Sequence, residues 1–236
     1  MTGVIDIPDG GGQHPVVVVN HGYVAADQYS VGEDSAKYAE PMASAGYLTI
    51  SPNYPGYSGS GPGESGVPNI VAEAISDIDL ISELRTLPQA DLSRIAVAGH
   101  SNGGGVALIL MVADSAIRTA VLYAPVSSDM ADNARKWWVP AGTTAGLPSP
   151  DVNPQPYAAM SPRPFFSAHT PPALIMQGSS DEQIPAAWTS ATVNALQQVG
   201  ARVSCVSFPD AMHIFAGGDL AHANDLAIAW LRSTMP

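Results

Sequence analysis

Short apolar runs alternate along this chain with longer segments of helical spacing, and this alternation limits the folds that the chain can adopt. The apolar runs span residues 16–19, 47–50, 95–98, 120–123, 174–176 and 203–208, and the helical segments span residues 35–45, 70–87, 106–112, 186–199 and 220–231. Runs that are apolar throughout are typical of parallel strands covered by helices on both faces. We therefore predict an α/β fold with a mostly parallel sheet flanked by helices.

One stretch, residues 127–172, interrupts this alternation. It contains nine prolines between Pro140 and Pro172, together with Trp137 and Trp138. It is too long for an ordinary connection between a strand and a helix. We predict that it forms an irregular cap over the carboxyl edge of the sheet, inserted within one domain that spans residues 1–236.

Composition excludes several classes of protein. Hydrophobic residues make up 46% of the 236 residues, which is enough for a sizeable core, whereas 13% charged residues is too few for a coiled coil or a charge-rich disordered chain. The net charge is −12 and the nine lysines and arginines are scattered. Nucleic acid and anionic membranes are therefore poor partners. The longest apolar run, residues 106–113, is far shorter than the roughly 18 residues of a membrane span.

Targeting, redox and cofactor signals are sparse. The first ten residues carry two acids and no basic residue, so they do not resemble a signal peptide. Because a secreted protein can lose its signal peptide, a cytoplasmic and a secreted location both stay open. Cys205 is the sole cysteine, which excludes an internal disulfide, and its apolar surroundings predict a buried thiol. No ligand cluster with metal spacing and no nucleotide-binding glycine motif is present. We expect no metal and no cofactor, in a monomer or a homodimer.

The strand at 95–98 runs into the sequence G-H-S-N-G, which is centred on Ser101 and followed by an apolar helical segment. A G-x-S-x-G motif between a strand and a helix holds its serine on a sharp, strained turn. Gly99 and Gly103 leave room for that turn because they have no Cβ. The N-terminus of the following helix favours developing negative charge. We predict that Ser101 is a nucleophile.

A serine hydroxyl reacts when a base takes its proton and a third group orients that base. Asp181 follows the strand at 174–176 and His213 follows the strand at 203–208. Both positions lie at carboxyl ends of strands, where open α/β sheets place their sites, and the chain order Ser, Asp, His suits the motif. We predict Asp181 as the orienting carboxylate and His213 as the base. Glu182 and Asp129 are weaker candidates for the acid. We expect non-catalytic roles for three other residues: Asp210 in a turn, His169 in the structure of the cap, and His222 on the surface of the last helix.

An oxyanion hole is expected beside the nucleophile. Strand 16–19 runs into His21, Gly22 and Tyr23, and in this arrangement one N–H comes from that loop and a second from the residue after the nucleophile. The predicted donors are the backbone N–H groups of Tyr23 and Asn102. A plain turn at His21 and Gly22 is the alternative.

Five stretches carry a resemblance to a known family: VVVVNHG, SPNYPGYSGSG, DLSRIAVAGHSNGG, PPALIMQGSSDEQIP and FPDAMHIF. Together they resemble the α/β-hydrolase superfamily, and within it the catalytic domain of the prolyl-oligopeptidase family, including acylaminoacyl-peptidases, and the dienelactone-hydrolase-like esterases. The resemblance covers nearly the whole chain. It implies a serine hydrolase that works through an acyl-enzyme.

Within that class we expect a carboxylic-ester hydrolase acting on a small-molecule or polymeric ester. The alternative is a serine aminopeptidase or oligopeptidase with the same three residues, and a non-enzymatic binding protein is the third possibility. Family peptidases carry a propeller for which we expect no room here, and no acidic pair is recognisably placed to hold a substrate's free N-terminus. An imidazole base predicts activity that falls below about pH 6–7. Candidate pocket walls are Tyr23, Tyr57, Trp137, Trp138 and Trp188.

Overall fold

A computed structural model describes the protein from Met1 to Pro236, and its centre is a sheet of seven strands. The strands are β1 (Thr2–Asp6), β2 (His14–Asn20), β3 (Leu48–Asn53), β4 (Ala90–His100), β5 (Ile117–Tyr123), β6 (Ala173–Gly178) and β7 (Val203–Phe208). They lie side by side in the order β1-β3-β2-β4-β5-β6-β7. Every neighbouring pair is parallel except β1 and β3, which are antiparallel. The predicted fold class is confirmed.

Five longer helices cover the two faces of the sheet. They are α1 (Ala36–Ser44), α2 (Asn69–Glu83), α3 (Asn102–Ala113), α7 (Ala186–Gln198) and α8 (Gly217–Thr234), and three short helices lie between α3 and α7, namely α4 (Met130–Asn133), α5 (Val139–Ala141) and α6 (Gln155–Met160). Apolar residues of α2, α3 and α7 belong to one core cluster, and those of α1 and α8 belong to the other. The sheet is therefore buried on both sides.

Strand β4 shows why the apolar runs are continuous. Ile95 and Val97 face the cluster under α2, α3 and α7, whereas Ala96 and Ala98 face the cluster under α1 and α8. Successive side chains of a strand point to opposite faces, so a strand covered on both faces needs apolar residues at every position. The same pattern fixes the register of β4 between β2 and β5, and with it the point where the chain leaves the sheet at Ser101.

Two features at the sheet edges differ from the sequence-based expectations. β1 is a strand of five residues that pairs only with β3; it lies outside the apolar runs predicted to be strands, and Ile5 is half exposed. Cys205, predicted to be a buried thiol, is exposed. It lies on β7, which is the last strand of the sheet and has a neighbour on one side only. The prediction for Cys205 was therefore wrong, because an edge strand need not bury both of its faces.

The segment 127–172 is built from short helical pieces. Besides the three short helices it contains a π-helical turn at Ala134–Trp138 and a 3₁₀ turn at Arg163–Phe165. Its role as a cap, and the single-domain organisation of the chain, stay predictions. No helix in the structure has both the length and the apolar composition that crossing a membrane requires.

Candidate active site

Ser101 lies between β4 and α3 in a strained backbone conformation, with φ +54° and ψ −115°. Its N–H donates to the carbonyl of Tyr123 at 2.9 Å, which ties the turn to β5. A Cβ on Gly99 would overlap the carbonyl of Gly103, and a Cβ on Gly103 would overlap the carbonyl of Asn20. Residues in sparsely populated backbone regions persist only where the surroundings hold them, and such residues concentrate at functional sites.

His213 and Asp181 are in direct contact. Nδ1 of His213 lies 2.9 Å from Oδ2 of Asp181. The same carboxylate accepts the backbone N–H groups of Gln183 and Ile184 at 2.8 Å each, and the side-chain amide of Gln177 at 2.6 Å. Burial alone would raise the pKa of Asp181, but the hydrogen bonds from His213 and the backbone hold that pKa below its ordinary value. An ionised Asp181 fixes the imidazole with Nε2 free to accept a proton.

Ser101 and His213 open onto one cavity of about 580 Å³. Tyr23 and Asn102 line the same cavity, whereas Asp181 lies behind His213 and outside the lining. The structure thus brings together the residues predicted from three distant parts of the sequence. The Ser101 hydroxyl does not hydrogen-bond to His213 here, and such contacts are often long until a substrate binds.

Tyr23 and Asn102, whose backbone N–H groups are the predicted oxyanion donors, both line this cavity. Asn102 is the first residue of α3, so its N–H has no partner in the helix. Tyr23 is 74% exposed. The side-chain amide of Asn102 donates to Oε2 of Glu73 at 2.7 Å, which anchors the first turn of α3 to α2.

The five aromatic candidates divide into two groups. Tyr23, Trp137 and Trp138 line the cavity. Tyr57 and Trp188 do not line it, in contrast to their prediction as pocket walls. Tyr57 is buried and donates from its hydroxyl to the carbonyl of Val24 at 2.8 Å, and the ring of Trp188 packs edge-on against Trp137 with 5.5 Å between ring centres. Both therefore support residues of the wall from behind.

The weaker candidates lie in other roles. Glu182 accepts the backbone N–H of His213 at 3.3 Å, and Asp129 caps α4 by accepting the N–H of Ala131 at 3.0 Å. Asp210 lies in a turn with φ +58°. His169 and His222 are both exposed. No group of three or more His, Cys, Asp or Glu side chains is arranged to hold a metal ion.

The polar residues at the cavity that were not predicted from the sequence include Asp34, Glu73 and His100. His100 is a variable position of the G-x-S-x-G motif, and nothing in the sequence pairs it with Asp34, which lies 66 residues earlier. A signal did exist for Glu73, because it falls within the buried face of α2. An acid on an apolar helix face calls for a polar partner.

The mostly parallel sheet, its strand order and the serine on the strained turn after β4 define an α/β-hydrolase. Residues 34–235 match the model of the Prolyl oligopeptidase family. The chain belongs to that family, and family and fold together identify it as a serine hydrolase.

Solved structures of two kinds share the fold. A truncated carbohydrate esterase from gut microbiota superposes with a TM-score of 0.76 at 18% identity, covering 98% of this chain and 90% of the esterase chain. A thermophilic esterase of the planctomycete Thermogutta terrifontis, with butyrate bound, gives 0.73 at 21% identity over 97% and 87% of the two chains. A puromycin-hydrolyzing peptidase of Mycobacterium tuberculosis gives 0.78 at 22% identity over 96% of this chain and 35% of the peptidase. These similarities show the fold.

A curated relative is an uncharacterized protein of Pseudomonas aeruginosa, 33% identical over 115 residues. The match covers 48% of this chain and 29% of the relative, so it spans less than a third of that protein's length.

Proposed function

We propose that the protein hydrolyses carboxylic esters through an acyl-enzyme on Ser101, with His213 as the base and Asp181 as the group that orients it. One observation carries the proposal. Ser101 on its strained turn and His213, whose Nδ1 lies 2.9 Å from Asp181, open onto the same cavity.

The reaction runs in two halves. Nε2 of His213 accepts the Ser101 proton while Oγ attacks the ester carbonyl carbon, and the carbonyl oxygen becomes an oxyanion that the N–H groups of Tyr23 and Asn102 stabilise. The C–O bond to the alcohol then breaks and His213 gives its proton to the departing oxygen. Water repeats the attack on the acyl-enzyme and releases the carboxylic acid. Loss of one oxyanion donor costs about 10²–10³ in rate.

The acids of the cavity favour an ester over an aminopeptidase substrate. Glu33 accepts the N–H of Ser30, Glu73 accepts the amide of Asn102, and Asp34 accepts three donors. Each of these carboxylates therefore already accepts a hydrogen bond from the protein, which makes it a weaker site for a substrate's free ammonium group. The aromatic rings of Trp137 and Trp138 instead offer an apolar wall.

Some of the comparisons favour an ester hydrolase and others favour a peptidase. Two esterases with the same fold are covered over 87–90% of their length, so nearly all of their fold has a counterpart here. Family membership and the puromycin-hydrolyzing peptidase favour the second candidate, a serine aminopeptidase or oligopeptidase with the same three residues.

The experiment compares p-nitrophenyl acyl esters of increasing chain length with aminoacyl-p-nitroanilides. We expect ester cleavage with an initial burst of nitrophenol and little amide cleavage. A fluorophosphonate should label the protein stoichiometrically, and Ser101→Ala should abolish both labelling and turnover. Amide cleavage at rates near those of the esters would assign the protein to the peptidase candidate, and labelling that persists in Ser101→Ala would exclude Ser101 as the nucleophile.

A further inference from the structure

A second carboxylate–imidazole pair, Asp34 and His100, lies beside His213 and has no part in the proposed chemistry. Nδ1 of His100 is 2.8 Å from Oδ2 of Asp34, and Nε2 of His100 is 3.2 Å from the backbone carbonyl oxygen of His213. The side chains of His100 and Asp34 are only 5% and 12% exposed. The rings of His100 and His213 lie 4.8 Å apart between centres.

Asp34 accepts further hydrogen bonds. Its Oδ2 accepts the backbone N–H of Gly22 at 2.6 Å, and its Oδ1 accepts the ammonium of Lys37 at 2.6 Å. A Cβ on Gly22 would lie 2.9 Å from the Asp34 carboxylate and 3.0 Å from the His100 ring, so a larger residue at this position would displace one of these two side chains. Charge-assisted hydrogen bonds of this kind are stronger than neutral ones and more specific in geometry.

The pair therefore contacts three segments that the reaction needs in register. Gly22 immediately precedes Tyr23, one predicted oxyanion donor, and His100 immediately precedes Ser101. The third contact is to the backbone of His213 itself. These segments come from the ends of β2, β4 and β7, and no other hydrogen-bonded side-chain pair links all three.

We propose that Asp34 and His100 are positioning residues that hold the oxyanion loop, the serine turn and the His213 loop at the spacing that attack on an ester requires. This inference rests on the proposed function. Acting through these three neighbours, the pair contributes to the rates of both half-reactions, formation and hydrolysis of the acyl-enzyme, and not to substrate affinity. A misplacement of about 1 Å at a reacting group can cost about 10²-fold in rate.

The test measures active-site concentration and turnover separately. Asp34→Asn and His100→Gln are titrated with a fluorophosphonate, and turnover of p-nitrophenyl butyrate is expressed per titrated site. We expect nearly full titres, a kcat lower by about 10–100-fold and a KM changed much less. Asp91→Asn is the matched control, because it breaks an ion pair of 2.7 Å with Arg94 on the strand far from the cavity, and it should leave kcat unchanged.

A purely structural role gives a different result. It lowers the fraction of titratable protein and leaves kcat per site at the wild-type value, and that outcome would overturn the inference. Should Asp34→Asn fail to fold, His100→Gln alone decides, because it keeps the Gly22 and Lys37 contacts of Asp34.

The double variant Asp34→Asn/His100→Gln adds a test of coupling. Two residues that act as one unit give a double variant no slower than the worse single one, whereas independent residues give multiplied losses. Multiplied losses would contradict a shared positioning role. A wild-type protein that shows neither burst nor labelling would instead refute the proposed function, so the two failures are distinguishable.

Discussion

The strained backbone of Ser101 is held in place by close packing of its neighbours. The chain around it approaches the end of β2 so closely that a Cβ at position 103 would not fit. Gly103 packs against the carbonyl groups of Asn20 and His21 at the end of β2. Ser101 also accepts the N–H groups of Gly105 and Val126 on its carbonyl, at 3.1 Å each. The strain at one residue is thus held by contacts from two other strands' ends.

The first prediction concerns Gly103→Ala. An added Cβ would overlap backbone atoms that cannot move without displacing β2, so we expect a loss of about 1–3 kcal/mol in the free energy of unfolding, together with a large loss of the proposed ester hydrolysis. Urea denaturation and p-nitrophenyl butyrate turnover measure the two effects. Gly218→Ala in α8 is the control, because nothing lies within 4 Å of its added Cβ. Equal behaviour of the two variants would contradict the close-approach argument.

For individual residues, sequence reasoning relies on position along the chain. Ser101, Asp181 and His213 were predicted from a motif, from strand ends and from chain order, and the structure places Ser101 and His213 at one cavity with Asp181 behind. The contact between Asp34 and His100 has no such rule. It depends on how the loop after β2 folds back over the sheet, which no local pattern encodes.

At the scale of elements, periodicity predicted the six parallel strands and the five long helices. A strand that is covered on both faces is apolar at nearly every position, which makes it recognisable in the sequence. The failures occur where burial is one-sided or absent, as at β1 and at Cys205. The segment 127–172 could be recognised only as irregular. Its π-helical turn at Ala134–Trp138, which carries Trp137 and Trp138 to the cavity, follows from tertiary packing.

The second prediction concerns that wall. Trp138→Ala removes an aromatic ring from the cavity lining, so kcat/KM for long-chain acyl esters should fall by about 10–100-fold, the equivalent of about 1.5–3 kcal/mol of lost apolar burial. Turnover of p-nitrophenyl acetate should change little, because a short acyl group needs no such wall. Phe165→Ala is the control, since Phe165 lies in the same segment and is exposed. A uniform loss for all chain lengths would show that Trp138 acts on the catalytic residues and not on the acyl group.

At the scale of the whole molecule, the buried carboxyl groups form two sets, one with a lowered pKa and one with a raised pKa. Burial alone would raise the pKa of Asp34, but the hydrogen bond and charge of His100 and the charge of Lys37 hold it well below the ordinary value. On α2, burial raises the pKa of Glu73 to about 7 and that of Asp77 to about 8, and neither residue has a cationic partner. The side chain of Asn20 opposes this rise at Asp77 only in part. One set of carboxyl groups therefore stabilises the fold when ionised and the other when protonated.

These opposite shifts give the folding stability a defined dependence on pH. Groups such as Asp34 and Asp181, whose pKa is lowered in the folded state, stabilise the fold above their unfolded pKa near 3.8, and that stability is lost as the pH falls. Glu73 and Asp77 bind protons more tightly in the folded than in the unfolded chain. Their contribution is therefore greatest in acid and declines as the pH rises from the unfolded values of 4.5 and 3.8 to about 7 and about 8.

The third prediction is that the urea midpoint of the wild-type protein falls as the pH rises from 5 to 8. Because Gln and Asn cannot ionise, Glu73→Gln and Asp77→Asn should each flatten this fall, and the double variant should remove most of it. Asp79→Asn, on the exposed face of the same helix, should leave the slope unchanged. Glu73 also accepts a hydrogen bond from the side chain of Asn102 at 2.7 Å. Activity per titrated site, measured in parallel for Glu73→Gln, shows whether loss of that contact affects catalysis separately from stability. A wild-type midpoint that stays flat or rises across this pH range would show that Glu73 and Asp77 are not buried in the protonated form, because their ionisation would then cost the folded state nothing.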